Sequence, residues 1–361
     1  MQPVKIVDLF AGPGGVDVAA ERLDVPTVGI EWDADACETR RAAGLSTVQG
    51  DVRLYGPADF PDADVLAGGP PCQTFTVAGT GVGRKALDDV LEFVERMTAR
   101  DRGIVNDLAE LNDERTGLVL EPLRWILEAI DVRKKPYEAI ILEQVPAVLP
   151  VWEAYARVLR NEGYSVDYDL LLTEAYGVPQ TRKRAVLIAR RGEEHKVKLP
   201  DATHRSYRKA IPRDAGDPAL APWRTMGEVI DRGTPFEVIS NYGTGGDPKL
   251  RGRRTSSQPS ATVTGKIFRN RVVSLQGAEL DRFNHSEAGR LQTFPADYPW
   301  SGRDVGQQIG NAVPPRLAAH ILSAAFGWAP PSEELLAKLD RWHRLPVQAT
   351  SAADSEVLVR T

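Results

Sequence analysis

Cysteine is nearly missing from this chain: there are two in 361 residues, Cys37 and Cys72, and neither lies in a Cys-x-x-Cys pair or a Cys/His cluster. A disulfide framework and a zinc site are therefore not expected, and no other metal is implied. Long apolar runs are also missing. No stretch reaches the roughly 18 apolar residues of a membrane span, and no apolar leader precedes the first strand-like segment, so a soluble, cytoplasmic protein is expected. Internal repeats are absent, as are the Gly-x-Gly-x-x-Gly and Gly-Lys-Ser/Thr phosphate signatures. The remaining composition, 42% hydrophobic with 31 glycines and 26 prolines, is that of a folded chain with many defined loops and enough core for two domains.

Charge is slightly acidic overall but unevenly placed along the chain. The net charge is -5, yet residues 182–271 hold 20 Lys+Arg against 9 Asp+Glu, a balance of +11 that leaves -16 for the rest. A basic segment on an acidic body suits a surface that tracks phosphates.

What is present begins with Val4-Lys5-Ile6-Val7-Asp8-Leu9-Phe10, then Ala11-Gly12-Pro13-Gly14-Gly15, then a helical pattern to Leu23. Strand, glycine turn and helix open a doubly wound sheet, and the helix N-terminus offers free N–H groups to a ligand. A second strand ends in Glu31-Trp32-Asp33. Glu31 lies 19 residues beyond Gly12, near the ~20-residue offset at which a carboxylate meets a ribose hydroxyl. Trp32 offers a stacking face. A third unit ends in Gly50-Asp51-Val52, placing another acid at the same edge. Jointly these strand ends point to an adenosine-containing cofactor without a pyrophosphate.

The next strand, Ala63 to Ala67, runs into Gly68-Gly69-Pro70-Pro71-Cys72-Gln73. Lone cysteines are usually buried small hydrophobes, and Cys37, on a helical stretch, is read that way. Cys72 instead falls where open α/β sheets bind ligands. The buried run Tyr137–Leu142 leads to Glu143-Gln144-Val145, and a carboxylate at a buried strand's end is costly unless paired or functional. Gln180-Thr181-Arg182-Lys183-Arg184 then enters another strand, where alternate residues share a face.

In this order, DLFAGPGG, EWD, GDV, PPCQ, EQV, QTRKR and QIGNAVPP resemble the cytosine-5 DNA methyltransferase family, over about residues 4–192 and 255–328. The resemblance implies an α/β doubly wound, Rossmann-like methyltransferase sheet with a second, smaller target-recognition domain. The cofactor implied is S-adenosylmethionine, held by Phe10, Ala11, Gly12, Gly14, Gly15, Glu31, Trp32, Asp51, Val52, Pro71, Asn311 and Val313. Cys72 is the implied nucleophile, with Glu143, Arg182 and Arg184 completing the catalytic set.

The family usually has Glu-Asn-Val where this chain has Glu143-Gln144-Val145, so altered loop support and reduced activity are expected. The catalytic domain is expected at residues 1–192 plus 305–345, closed by a proline-started helix to Phe326, with the recognition domain at 193–304 and a frayed tail at 346–361. Residues 80–115 correspond to the family's mobile loop, although 85–110 read equally as an extra surface helix. Duplex DNA is the implied partner of a monomer, read by Gln73, Arg251, Arg253 and Arg254, with a cognate restriction endonuclease as a further partner. Two alternatives stay open: a transfer-RNA methyltransferase of the same fold, whose Cys-Phe-Thr signature is not found here, and a silent DNA-binding homologue.

Overall fold

The computed structural model describes residues 4–71, 81–101, 103, 117–243 and 251–342. The large sheet takes strands β1 (Ile6–Leu9), β2 (Thr27–Glu31), β3 (Thr47–Gln49), β4 (Val65–Gly68), β5 (Ala139–Gln144), β6 (Tyr164–Leu172) and β7 (Lys183–Arg191). Their spatial order is β3-β2-β1-β4-β5-β7-β6. The first five are parallel, and β7 runs antiparallel to both its neighbours. Strands buried on both faces read as unbroken apolar runs, and β1 and β4 are buried at every position.

Alternation along each strand divides the core in two. Val7, Leu9, Ile140, Leu142 and Leu187 face helices α3 (Gly81–Thr98), α4 (Glu121–Asp131) and α5 (Leu149–Asn161), which follow α1 (Gly15–Arg22) and α2 (Ala34–Ala42) in the chain. Ile6, Val65, Ile141 and Ile188 face the other way. There they meet α1 and the late helix α8 (Pro315–Phe326), which follows α6 (His285–Leu291) and α7 (Val305–Asn311). Pro315 at the first helical position and Gly327 just past the end, at φ 67°, set the limits of α8. A final short helix, α9 (Glu333–Ala337), leads to Trp342.

The smaller sheet has four antiparallel strands, β8 (Phe236–Gly243), β9 (Arg251–Thr255), β10 (Arg271–Ser274) and β11 (Glu279–Leu280), in the order β11-β10-β8-β9. Phe236, Val238, Val263, Val272 and Phe283 form its core together with Leu291 of α6 and Ile309 of α7. Phe294 and Tyr298, only a few residues beyond α6, pack instead with the large sheet.

One buried ion pair ties the first two helices together. Arg40 of α2 donates to Asp17 of α1 at 2.8 and 2.9 Å, with both side chains fully buried, and also reaches Thr47 and the Ser46 carbonyl. The guanidinium lies against Gly29, where a Cβ would stand 2.0 Å from it. Removing either charge would strand the other in the core. Among the described residues no helix is long and apolar enough to cross a membrane, and no group of three or more His, Cys, Asp or Glu is placed to hold a metal.

Candidate active site

Strand order reverses at β1, which lies between β2 and β4, and a crevice opens beyond the carboxyl ends of such strands. Here it is a cleft of about 650 Å³, within the usual range for small-molecule sites. At its first wall the chain leaves β1 through Phe10, which adopts a left-handed φ of 60°, and Gly12 at φ 54°. A non-glycine residue in that region carries strain that clusters at functional sites. Glu31, at the end of β2, holds this turn: Oε2 accepts from the Gly12 N–H at 2.7 Å and Oε1 from the Asp33 N–H at 2.8 Å. Burial raises the Glu31 pKa above the ordinary carboxylate value.

Trp32, beside it, exposes 70% of its surface. A large aromatic left open at the rim of a cleft is a ready stacking face. Asp51 caps the short turn that follows β3 and pairs with Arg53 at 2.6 Å. Burial pushes its pKa up, but the Arg53 guanidinium and N–H bring it below the usual value.

The opposite wall carries Glu143, Arg182 and Arg184. β5 continues through Glu143 and Gln144, because both remain laddered to β7 through Val186 and Ala185. The strand therefore runs two residues beyond the apolar run, which ends at Leu142. Arg184 Nε lies 2.9 Å from Glu143 Oε1, with both side chains about nine-tenths buried. Arg182 is spent differently. It donates to the Val263 carbonyl at 3.0 Å and the Gly310 carbonyl at 2.9 Å, tying the small-sheet segment and α7 to the site. Burial, then the charge of Arg184, holds its pKa below that of an ordinary arginine.

Of the implied cofactor residues, Phe10, Ala11, Gly12, Gly15, Glu31, Trp32, Asp51, Val52, Pro71, Asn311 and Val313 all line the cleft. Gly14 does not: at φ 104° it turns inward, and a Cβ there would stand 2.4 Å from Leu45 Cδ1. Its part is to let the turn enter α1. Cys72 and Gln73 lie outside the described residues, but Pro71, immediately before them, is on the cleft wall. Cys37 is buried on α2 and donates to the Glu31 carbonyl.

The other implied DNA readers, Arg251, Arg253 and Arg254, are elsewhere, on β9. Arg253 pairs with Glu237, and Arg254 stacks 4.3 Å from the Tyr207 ring centre. Sequence reading missed Asp8, Leu118 and Gln307, which also line the cleft. Only Asp8 left a signal, as an acid inside a buried apolar strand; burial, then Asp17, raises its pKa well above normal.

A seven-stranded sheet with an antiparallel seventh strand, and a cleft joining an acid-aromatic wall to a Glu-Arg wall, defines a methyltransferase-type α/β enzyme. The chain belongs to the C-5 cytosine-specific DNA methylases, a family of DNA (cytosine-5)-methyltransferases, whose model matches residues 4–97, 107–221 and 224–326. It is 27% identical to the Type II methyltransferase M1.HphI of Haemophilus parahaemolyticus, over 89% of this chain and 86% of that one. It is 28% identical to the Type II methyltransferase M.Eco47II of Escherichia coli, over 87% and 76% respectively. The solved structure of the Entamoeba histolytica methyltransferase EhMeth superposes with a TM-score of 0.58 over 91% of this chain and 99% of that one, at 14% identity.

Proposed function

We propose that this protein transfers a methyl group from S-adenosylmethionine to carbon 5 of a cytosine flipped out of a specific duplex DNA sequence. The observation that carries this reading is the juxtaposition, in one cleft, of the Glu31-Trp32 wall and the Glu143–Arg184 pair. The first wall fits the cofactor: an open indole face, a carboxylate at a strand end and a glycine turn leading to a helix N-terminus. When bound there, S-adenosylmethionine supplies a methyl group on a positively charged sulfur.

Carbon 5 of cytosine is a poor nucleophile, and this chain's residues address that. Cys72, as thiolate, adds to carbon 6 and makes carbon 5 enamine-like, splitting one hard step into two. Glu143, sharing a proton with ring nitrogen 3 and accepting from the exocyclic amine, offsets the charge that develops. Arg184, held against Glu143, faces the ring carbonyl, while Arg182 fixes the backbone around it. Once carbon 5 carries the methyl group, loss of its remaining proton to a base re-forms the 5,6 double bond, breaks the carbon 6–sulfur bond and releases Cys72 as thiolate. The base must leave the duplex first, at a cost of about a few kcal/mol. The Type II relatives support a place beside a restriction endonuclease.

Trapping tests the assignment. Wild-type protein incubated with S-adenosylmethionine and duplex DNA containing 5-fluorocytosine should form a covalent adduct that survives denaturation, and Cys72→Ser should form none. An adduct at the wild-type level in Cys72→Ser would remove Cys72 from the mechanism. Methyl transfer to transfer RNA, with none to duplex DNA, would move the substrate to RNA, and no adduct from the wild type would leave a silent homologue.

A further inference from the structure

The turn from Ala11 to Gly15 has almost no side chains with which to hold itself, yet it forms a wall of the cleft. One internal bond steadies it, Gly14 N–H to the Ala11 carbonyl at 3.1 Å, and Glu31 ties down Gly12. Pro13 is held from the far end of the chain. The Tyr298 hydroxyl, 285 residues away in sequence, donates to the Pro13 carbonyl at 2.5 Å. It reaches that carbonyl because residue 14 is glycine: a Cβ there would lie 3.0 Å from the hydroxyl oxygen.

Tyr298 does not itself line the cleft, and its ring is fixed on several sides. Phe294 and Trp300 each stand 4.9 Å from it, and Trp342 stands 5.6 Å away. Trp342 is anchored in turn. Its backbone N–H donates to Asp297 at 2.6 Å, its indole N–H donates to the Ala43 carbonyl at 3.1 Å, and the guanidinium of Arg22, the last residue of α1, sits 5.2 Å from its ring centre. The Ala296 N–H donates to the Asp340 carbonyl. Asp340 and Trp342 therefore tie the 294–300 loop, which carries Tyr298, to the end of α1 and to Ala43.

We propose that Tyr298 is a positioning residue for cofactor binding, fixing the Pro13 carbonyl and with it the backbone that meets S-adenosylmethionine. This rests on the reading of the cleft as a S-adenosylmethionine site. Tyr298→Phe keeps the ring cluster and removes only the hydroxyl. Loss of one hydrogen bond that orders a binding loop should raise the dissociation constant by roughly 3- to 10-fold.

The experiment is calorimetric titration of the full chain with S-adenosylhomocysteine, without DNA, alongside KM for S-adenosylmethionine and for duplex DNA. Affinity and cofactor KM should weaken together while the DNA KM stays in place. Unchanged affinity in Tyr298→Phe overturns the proposal, as does an equal shift in both KM values. Phe294→Leu, which loosens the same rings but leaves the hydroxyl, separates positioning from general softening. Weakening confined to Tyr298→Phe supports the proposal, and equal weakening in both variants overturns it. Wild-type protein that does not bind the probe would instead overturn the cofactor reading itself.

Discussion

At the scale of single residues, the departure from the family's Glu-Asn-Val has a physical account. Gln144 folds its amide back over the end of β5: Nε2 donates to the Pro70 carbonyl, and Oε1 accepts from the Val145 N–H at 2.5 Å. Pro70 is two residues before Cys72, so this amide joins the strand bearing Glu143 to the segment bearing the proposed nucleophile. Gln144→Met fills the same space and leaves the Pro70 carbonyl without that donor. A lost hydrogen bond of about 0.5–1.5 kcal/mol slows a step that depends on it by up to about tenfold. Adduct formation with 5-fluorocytosine DNA should slow by that much while cofactor affinity holds. An unchanged single-turnover rate would mean that the Pro70 carbonyl does not govern placement of Cys72.

At the scale of elements, α8 brings a pH response. His320 on α8 packs 5.4 Å from Tyr176, and His204 lies behind Gly177. Burial, then the charge of Arg316, holds both imidazoles down to about 4. Arg316 itself donates to the Tyr176 carbonyl at 3.0 Å and pairs with Glu333 at 2.5 Å, while Arg224 and Glu228 contribute weaker, opposed effects on His204. Unfolded histidine titrates near 6.5. The folded pKa is the lower one, so the stabilising contribution is complete above about 6.5 and is lost as pH falls towards 4. Between pH 7 and pH 5 the two histidines should pull the melting temperature down, opposed by the buried carboxyls of Asp8 and Glu31, whose raised pKa makes them easier to bury as they protonate. His320→Gln removes one histidine contribution, so wild type should lose more stability than the variant between pH 7 and pH 5, and an identical pH response in the two would place the effect elsewhere.

This element also shows where reading the chain succeeds and where it stops. Pro315 and the apolar run to Phe326 mark α8 as a helix, just as unbroken apolar runs closed by glycine mark β1 and β4, because those signals are local. The acid at each strand end is legible for the same reason, since a carboxylate after a buried run needs an explanation. Non-local geometry leaves no such trace. Nothing near Gly29 announces that Arg40 lies against it, and nothing near Pro13 announces Tyr298. The strands of the small sheet were hidden too. β9 is Arg-Gly-Arg-Arg-Thr, with no apolar alternation, and it pairs with β8 through its backbone across an irregular register.

At the scale of the whole molecule, the acidic body and the basic segment meet at a seam where main-chain groups of the segment are bonded beside the apolar contact with Leu291 and Ile309. Thr181 N–H donates to the Ser260 carbonyl and Ser260 N–H to the Pro179 carbonyl, while Gln180 Oε1 accepts from the Val263 N–H at 2.7 Å. The Gln180 amide continues to Gln292 at 2.7 Å, and Gln292 reaches the Ile309 carbonyl. Because the inserted segment offers main-chain groups to residues 179–182, its exposed side chains can change without opening that part of the seam. The apolar residues packed on Leu291 and Ile309, such as Val238, Val263 and Val272, must stay apolar. Transplanting residues 193–280 into a relative with a different target should therefore give a folded chimera that methylates this protein's site. Within the segment, Arg253 is matched by Glu237 and Arg271 by Glu279, so fewer arginines are available to DNA than composition suggests. Arg251→Ala and Arg254→Ala distinguish the roles that remain. A phosphate contact weakens every sequence alike and lowers the salt slope by about 1, whereas a base contact costs about 1–3 kcal/mol and relaxes one position. A folded chimera that still methylates the recipient's original site would place recognition outside 193–280.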